Sequence, residues 1–177
     1  MSSRSERFDR GDFSSRYQRE QDVSTDTNAS PLPVVWPVKG PRVGQTVMAD
    51  RNGKGRPHKG VDLFVKAGSP VVAAVSGKVV RVVDGRESAD EGKRRAGLWI
   101  DTLADSGLIF RYLHLGSVVV REGQRVKAGQ EIAKVADRGE SGSGQAPHLH
   151  LEIRREDFRG SDYGEPIDPL PILKGLA

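Results

Sequence analysis

From Pro33 onward the apolar residues come in short, β-branched runs: VVWPV, GVDLFV, PVVAAV, KVVRVV, GLWIDTL, LIFRYLHL, SVVV, EIAKVA and HLHLEI. Gly, Pro or Asp separates almost every pair of them. Runs of this length between turn residues suit strands that pack on one another, and they lack the sustained apolar stripe of a helical bundle. The 21 Gly, 10 Pro and only 6% aromatic residues point the same way. The expectation is one all-β domain over residues 34–177, a compact antiparallel sheet large enough to bury a core. Within it, DGRESADEGKRRAG (84–97) reads as a charged connection between strands. GESGSGQAP (139–147) reads as a Gly/Ser loop leading into a His-bearing strand.

Residues 1–33 have a different character. They carry five Arg against six Asp or Glu, much Ser, and almost no aliphatic residue before Val23. Such a segment buries too little apolar surface to offset its chain entropy, so a disordered polar arm is expected there. Phe8, Phe13 and Tyr17 would be its anchors if it docks on a partner.

With no Cys in the chain, disulfides, thiolate metal sites and cysteine nucleophiles are excluded, and any metal must bind through His and carboxylate. No stretch approaches the ~20 apolar residues of a membrane span, and MSSRSERFDRGDFSS has no apolar core of the signal-peptide kind. Residues 34–177 hold 23 basic against 18 acidic side chains, a balance suited to an anionic partner. The Lys/Arg clusters RNGKGR (51–56) and GKRR (92–95) have too little aromatic company to predict a nucleic-acid surface.

The chain has four histidines, His58, His114, His148 and His150, each at or beside a predicted strand. In HKGVD, even spacing on a strand would put His58 and Asp62 on one face. In HLHLEI, the same period puts His148 and His150 on one face and Leu149 and Leu151 on the core side. Catalytic zinc sites commonly take three protein ligands from His and Asp or Glu and leave a position for water. Two His and one Asp meet that count, and two further His are then available for proton transfer or oxyanion stabilisation near neutral pH. Any one of these motifs alone is as easily a packed or surface histidine; their conjunction in one small domain favours the metal.

Taken in order, WPVKG, RPHKGVDLFVKAGSPVVAAVSGKVVRVV, RYLHLGSVVVREGQRVKAGQEIAKV, SGSGQAPHLHLEI and EPIDPL resemble the lysostaphin/LytM-type zinc metalloendopeptidases that cut peptide bonds in bacterial peptidoglycan. The resemblance runs from about Trp36 to Leu170. It implies one Zn²⁺ per chain held by His58, Asp62 and His150, a catalytic pair in His114 and His148, and a substrate groove across one face of the sheet. Tyr112, two residues before His114, is a further candidate for the groove. The implied substrate is a cross-bridge or stem peptide of peptidoglycan, and action is expected at the cell wall. With no apolar leader in the chain as given, the expectation is either delivery by a phage particle, an injection apparatus or cell lysis, with residues 1–33 as a delivery or docking segment, or a mature or trimmed form of a longer chain. A catalytically silent wall-binding or assembly module of the same fold is the alternative. GQRVKAGQEIAKV also resembles the turns of biotinyl and lipoyl carrier domains, but no Met-Lys or Asp-Lys pair exists to carry the group.

Overall fold

The computed structural model describes residues 33–49, 57–138, 140–141, 144–155 and 166–175. The expected polar arm, except for Pro33, and the cluster 51–56 lie outside the described residues. Ten strands occur among those described: β1 (Arg42–Val43), β2 (Val61–Phe64), β3 (Pro70–Val72), β4 (Gly77–Asp84), β5 (Leu98–Ala104), β6 (Leu108–Val118), β7 (Arg125–Val126), β8 (Glu131–Val135), β9 (His148–Arg155) and β10 (Pro166–Ile167). They form one sheet whose pairings are all antiparallel, in the order β1-β2-β9-β6-β5-β4-β7. β10 adds to β9, and β8 pairs with both β3 and β6. The all-β expectation agrees with this architecture. No helix among the described residues is long and apolar enough to cross a membrane.

VVWPV is the expected strand that does not form. Pro33 and Pro37 have no N–H to give to a ladder, so only isolated bonds such as Val35 N–H to the Ala74 carbonyl (2.8 Å) hold the segment to the sheet. The charged connection 84–97 contains a helix, α1 (Glu91–Ala96), whose first turn is closed by the Asp90 carboxylate accepting the Lys93 N–H. Glu91 at its start and Lys93, Arg94 and Arg95 at its end complement the helix dipole. A second short helix, α2 (Pro169–Leu173), starts from the Asp168 cap with Pro169 in the first turn.

The two faces of the sheet divide the chemistry. Val61 and Leu63 of β2, Phe110 of β6, and Leu149, Leu151 and Ile153 of β9 lie in the fully or almost fully buried core. Asp62, His148, His150, Glu152 and Arg154 alternate with them and therefore project from the other face. β9 sits between β2 and β6, so a defect in its core side reaches both neighbours. Leu151→Ala is expected to cost about 2–5 kcal/mol of stability by opening a cavity under His150, read as a lowered urea midpoint with an unchanged slope.

Candidate metal centre and its flanking histidines

Asp62 and His150 face each other directly across the β2–β9 ladder. His58 reaches them by another route. It precedes β2, so the even-spacing argument does not place it. It is held instead by paired backbone bonds, Met48 N–H to the His58 carbonyl (2.8 Å) and His58 N–H to the Ala49 carbonyl (3.0 Å). Between His58 and β2 the backbone passes so close to β9 that a Cβ on Gly60 would lie 2.2 Å from the Leu151 carbonyl oxygen. Only glycine allows that approach.

The result is a triangle of heteroatoms: His58 Nε2 to Asp62 Oδ1 3.1 Å, His58 Nε2 to His150 Nδ1 3.0 Å, and His150 Nδ1 to Asp62 Oδ1 2.8 Å. All three residues are buried. For metal–ligand bonds of about 2.0–2.1 Å in a tetrahedron, ligand atoms stand roughly 3.3 Å apart. The triangle is close to that size, and its two imidazoles and one carboxylate are a donor set that zinc takes. Burial works to raise the Asp62 pKa, but the close His150 and His58 rings outweigh it and hold the carboxyl well below its usual range. For His150, burial works against the charged ring, while the bonds to Asp62 and Glu152 raise its pKa overall.

The hydrogen bonds behind the rings set which nitrogen faces the centre. A carbonyl oxygen can only accept, so His58 Nδ1–H donates to the Thr46 carbonyl (2.9 Å), which leaves Nε2 as the ligand atom. His150 is turned the other way: Nε2–H donates to Glu152 Oε1 (3.1 Å), and Nδ1 faces the triangle. Glu152 is in turn bonded by Arg154 Nε (2.8 Å) and lies 3.9 Å from Arg111, which makes two bonds to buried Asp101 (2.8 and 3.2 Å). Asp101, Arg111 and Glu152 are direct cross-strand neighbours on β5, β6 and β9. Burial works against ionising Glu152, but the His150 bond and the Arg154 and Arg111 charges bring its pKa down to about 2. Glu152 therefore remains an anion that makes His150 a better donor to a metal. Sequence reasoning missed it, although it lies two residues after His150 and the same period-2 rule puts it on the same face. Glu152→Gln is expected to weaken zinc binding about 10- to 100-fold, measured by competition with a chromogenic chelator.

His114 and His148 stand beside the triangle. Their ring centroids are 4.8 Å apart, and His114 is 5.9 Å from His150. His148 Nδ1–H donates to the Ala146 carbonyl (2.8 Å), and its Nε2 lies 3.7 Å from Asp62 Oδ1. His114 Nδ1–H donates to the Ser141 carbonyl (2.9 Å), in the Gly/Ser loop that leads into β9. Burial and the two neighbouring imidazoles push the His114 pKa down to about 3, so the ring is neutral. The same carbonyl is met by Gly97, where φ is +70° and a Cβ would lie 2.8 Å from the Ser141 oxygen. Residues 139, 142 and 143 of that loop lie outside the described residues.

Tyr112 does not line a groove. It is 0% exposed in the core, its hydroxyl accepts the Ala74 N–H (2.9 Å), and burial pushes its pKa up to about 12. A strand period of two would put Tyr112 on the face of His114, but β6 carries one more residue than β5 between the Ile100–Tyr112 and Leu98–Leu115 pairs. His114 sits in that bulge with φ +65°, which sends Tyr112 and Leu115 into the core and the imidazole to the other side.

Residues 56–169 match the sequence profile of peptidase family M23. The chain belongs to peptidase family M23. Among curated proteins, this M23 chain is 34% identical over 138 residues to the lipoprotein NlpD/LppB homolog of Pseudomonas aeruginosa, covering 78% of the chain and 39% of that protein. It is 36% identical over 118 residues to lysostaphin of Staphylococcus simulans, covering 66% of the chain and 21% of that protein. It thus spans about two-fifths or less of the length of these relatives. The solved catalytic domain of S. simulans lysostaphin superposes with a TM-score of 0.62 at 32% identity, over 76% of this chain and 92% of that one. A zinc-containing peptidase from Vibrio cholerae gives 0.61 at 27% identity, over 78% and 39%.

Proposed function

We propose that this M23 chain is a zinc-dependent endopeptidase that hydrolyses peptide bonds in the cross-bridges or stem peptides of bacterial peptidoglycan, acting at the cell wall. The observation that carries this reading is the buried triangle of His58 Nε2, Asp62 Oδ1 and His150 Nδ1 with two further imidazoles beside it. Similarity to a peptidoglycan DD-endopeptidase and to a zinc-containing peptidase, both of Vibrio cholerae, supports the choice of substrate and of metal. Bound by those three residues, zinc supplies Lewis-acid chemistry that polarises a carbonyl oxygen and acidifies water.

The chain's own residues do the rest. The Thr46 carbonyl and Glu152 fix the two ligand imidazoles in the tautomers a metal needs. Neutral His114 can take a proton from the attacking water at Nε2. The proton it takes then passes to the leaving amine. His148, fixed by the Ala146 carbonyl, is placed to orient the scissile carbonyl or stabilise charge developing on its oxygen. Residues 34–177 form the catalytic domain in this reading.

The test is digestion of purified peptidoglycan of several wall chemotypes by native, chelated and zinc-restored protein, with products read by mass spectrometry. New amine termini that vanish on chelation and return with zinc are expected. A folded, zinc-loaded protein that binds walls but releases no amine from any chemotype would instead be the silent module.

A further inference from the structure

Four charged side chains of alternating sign cross the sheet in one row, each the direct cross-strand neighbour of the next: Arg81 on β4, Asp101 on β5, Arg111 on β6 and Glu152 on β9. The row ends against the ligand His150, through its bond to Glu152. Asp101 is fully buried and the Arg111 side chain is only 11% exposed. Partners inside the sheet, more than water, therefore decide where these charges settle.

Arg111 stands between two carboxylates and treats them differently. It gives Asp101 two bonds, from Nε to Oδ1 (2.8 Å) and from Nη2 to Oδ2 (3.2 Å), the forked geometry a guanidinium forms with a carboxylate. Its Nη1 stops 3.9 Å from Glu152 Oε2. Glu152 has both oxygens in use, because Oε1 accepts the His150 Nε2–H (3.1 Å) and Oε2 accepts the Arg154 Nε–H (2.8 Å). A fork from Arg111 onto Glu152 would need Oε1, the atom that orients His150. A buried guanidinium robbed of its carboxylate is costly, so an Arg111 without Asp101 would turn to the next carboxylate in the row.

We propose that Asp101 is a positioning residue for the metal centre: two strands away from His150, it holds Arg111 in a forked pair and so keeps Glu152 Oε1 for the ligand imidazole. The inference rests on His150 being a zinc ligand. It places control of metal affinity on a residue that touches neither the triangle nor His150.

A double-mutant cycle on zinc affinity tests this, read by competition with a chromogenic chelator, with thermal melting to check each fold. Asp101→Asn keeps the size, removes the charge, and is expected to weaken zinc binding about tenfold, the lower end of the cost of a lost supporting bond. Arg111→Gln removes the group being restrained and should not weaken zinc. In that background Asp101→Asn should cost no more than about twofold, the scatter of uncoupled sites. Charge acting through space predicts otherwise, with the same weakening by Asp101→Asn in both backgrounds. That result would overturn the proposal, as would native affinity in Asp101→Asn. So would a loss in Arg111→Gln equal to that of Glu152→Gln, an outcome that can be read even if Asp101→Asn alone does not fold.

The His150 Nε2 proton, followed by NMR in ¹⁵N-labelled metal-free protein, gives a second readout. Its hydrogen-bonded, downfield signal should be lost in Asp101→Asn and return in Asp101→Asn/Arg111→Gln, which a general loosening of the sheet would not reproduce. If the native protein bound no zinc, the metal reading would fall, and persistence of this signal in Asp101→Asn would separately overturn the restraint on Arg111.

Discussion

His150→Ala is expected to leave the protein folded, without zinc, and slowed in peptidoglycan cleavage by roughly 10³-fold or more, beyond the 10- to 100-fold cost of a lost supporting bond. The side chain occupies the middle of β9, contributes one corner of the triangle, and links Asp62 to Glu152. Removing it leaves a pair of ligands where zinc needs three. Asp62 retains His58 as a partner and Glu152 retains Arg154, so the stability cost should be that of two buried hydrogen bonds, about 1–3 kcal/mol together. Metal content by plasma mass spectrometry, circular dichroism and released amine report the three expectations separately. A variant that retained one zinc per chain would remove His150 from the ligand set.

The second expectation is the converse. His114→Ala should retain its zinc and still lose about 10²- to 10⁴-fold in kcat, because what disappears is a proton-transfer group. A loss of zinc equal to that of His150→Ala would make His114 a ligand and overturn the division of labour. The pH dependence separates the two histidines further. The folded-state pKa of His114 is about 3, so the ring stays neutral as pH falls through the weakly acidic range and does not set the acid limit of activity. The His150 pKa is raised, so protons compete with metal at Nδ1 from a higher pH. Activity and bound zinc are therefore expected to fall together on acidification, and excess zinc should move that limb to lower pH. An acid limb that stayed fixed while zinc remained bound would point to another titrating group.

Much of this site was legible because one strand obeys a period of two. HLHLEI places His148 and His150 on one face and Leu149 and Leu151 in the core, as the sheet has them. The same rule extended by two residues reaches Glu152. Tyr112 shows where the rule stops. A single extra residue in β6 reverses the face, and no composition or spacing signal in RYLHLG announces it. His58 arrives by backbone pairing with a distant segment, a non-local event that local pattern does not encode. The carbonyls of Thr46, Ala146 and Ser141 are invisible for a different reason, since every residue has one and only the fold selects which is used. Helix α1 did leave a trace in the sequence: Asp90 before Glu91, then basic residues and Gly97, is a capped helix in miniature.

The bulge at His114 also sets stability and activity against each other at one residue. A left-handed backbone conformation at a residue other than Gly costs of order 1 kcal/mol, and Gly or Asn would relieve much of it. Ranked by thermostability alone, substitutions at position 114 should favour those residues; ranked by turnover, they should favour histidine. A stabilisation campaign on this domain that ignored chemistry would thus be drawn to erase one of the residues to which the proposed hydrolysis assigns proton transfer.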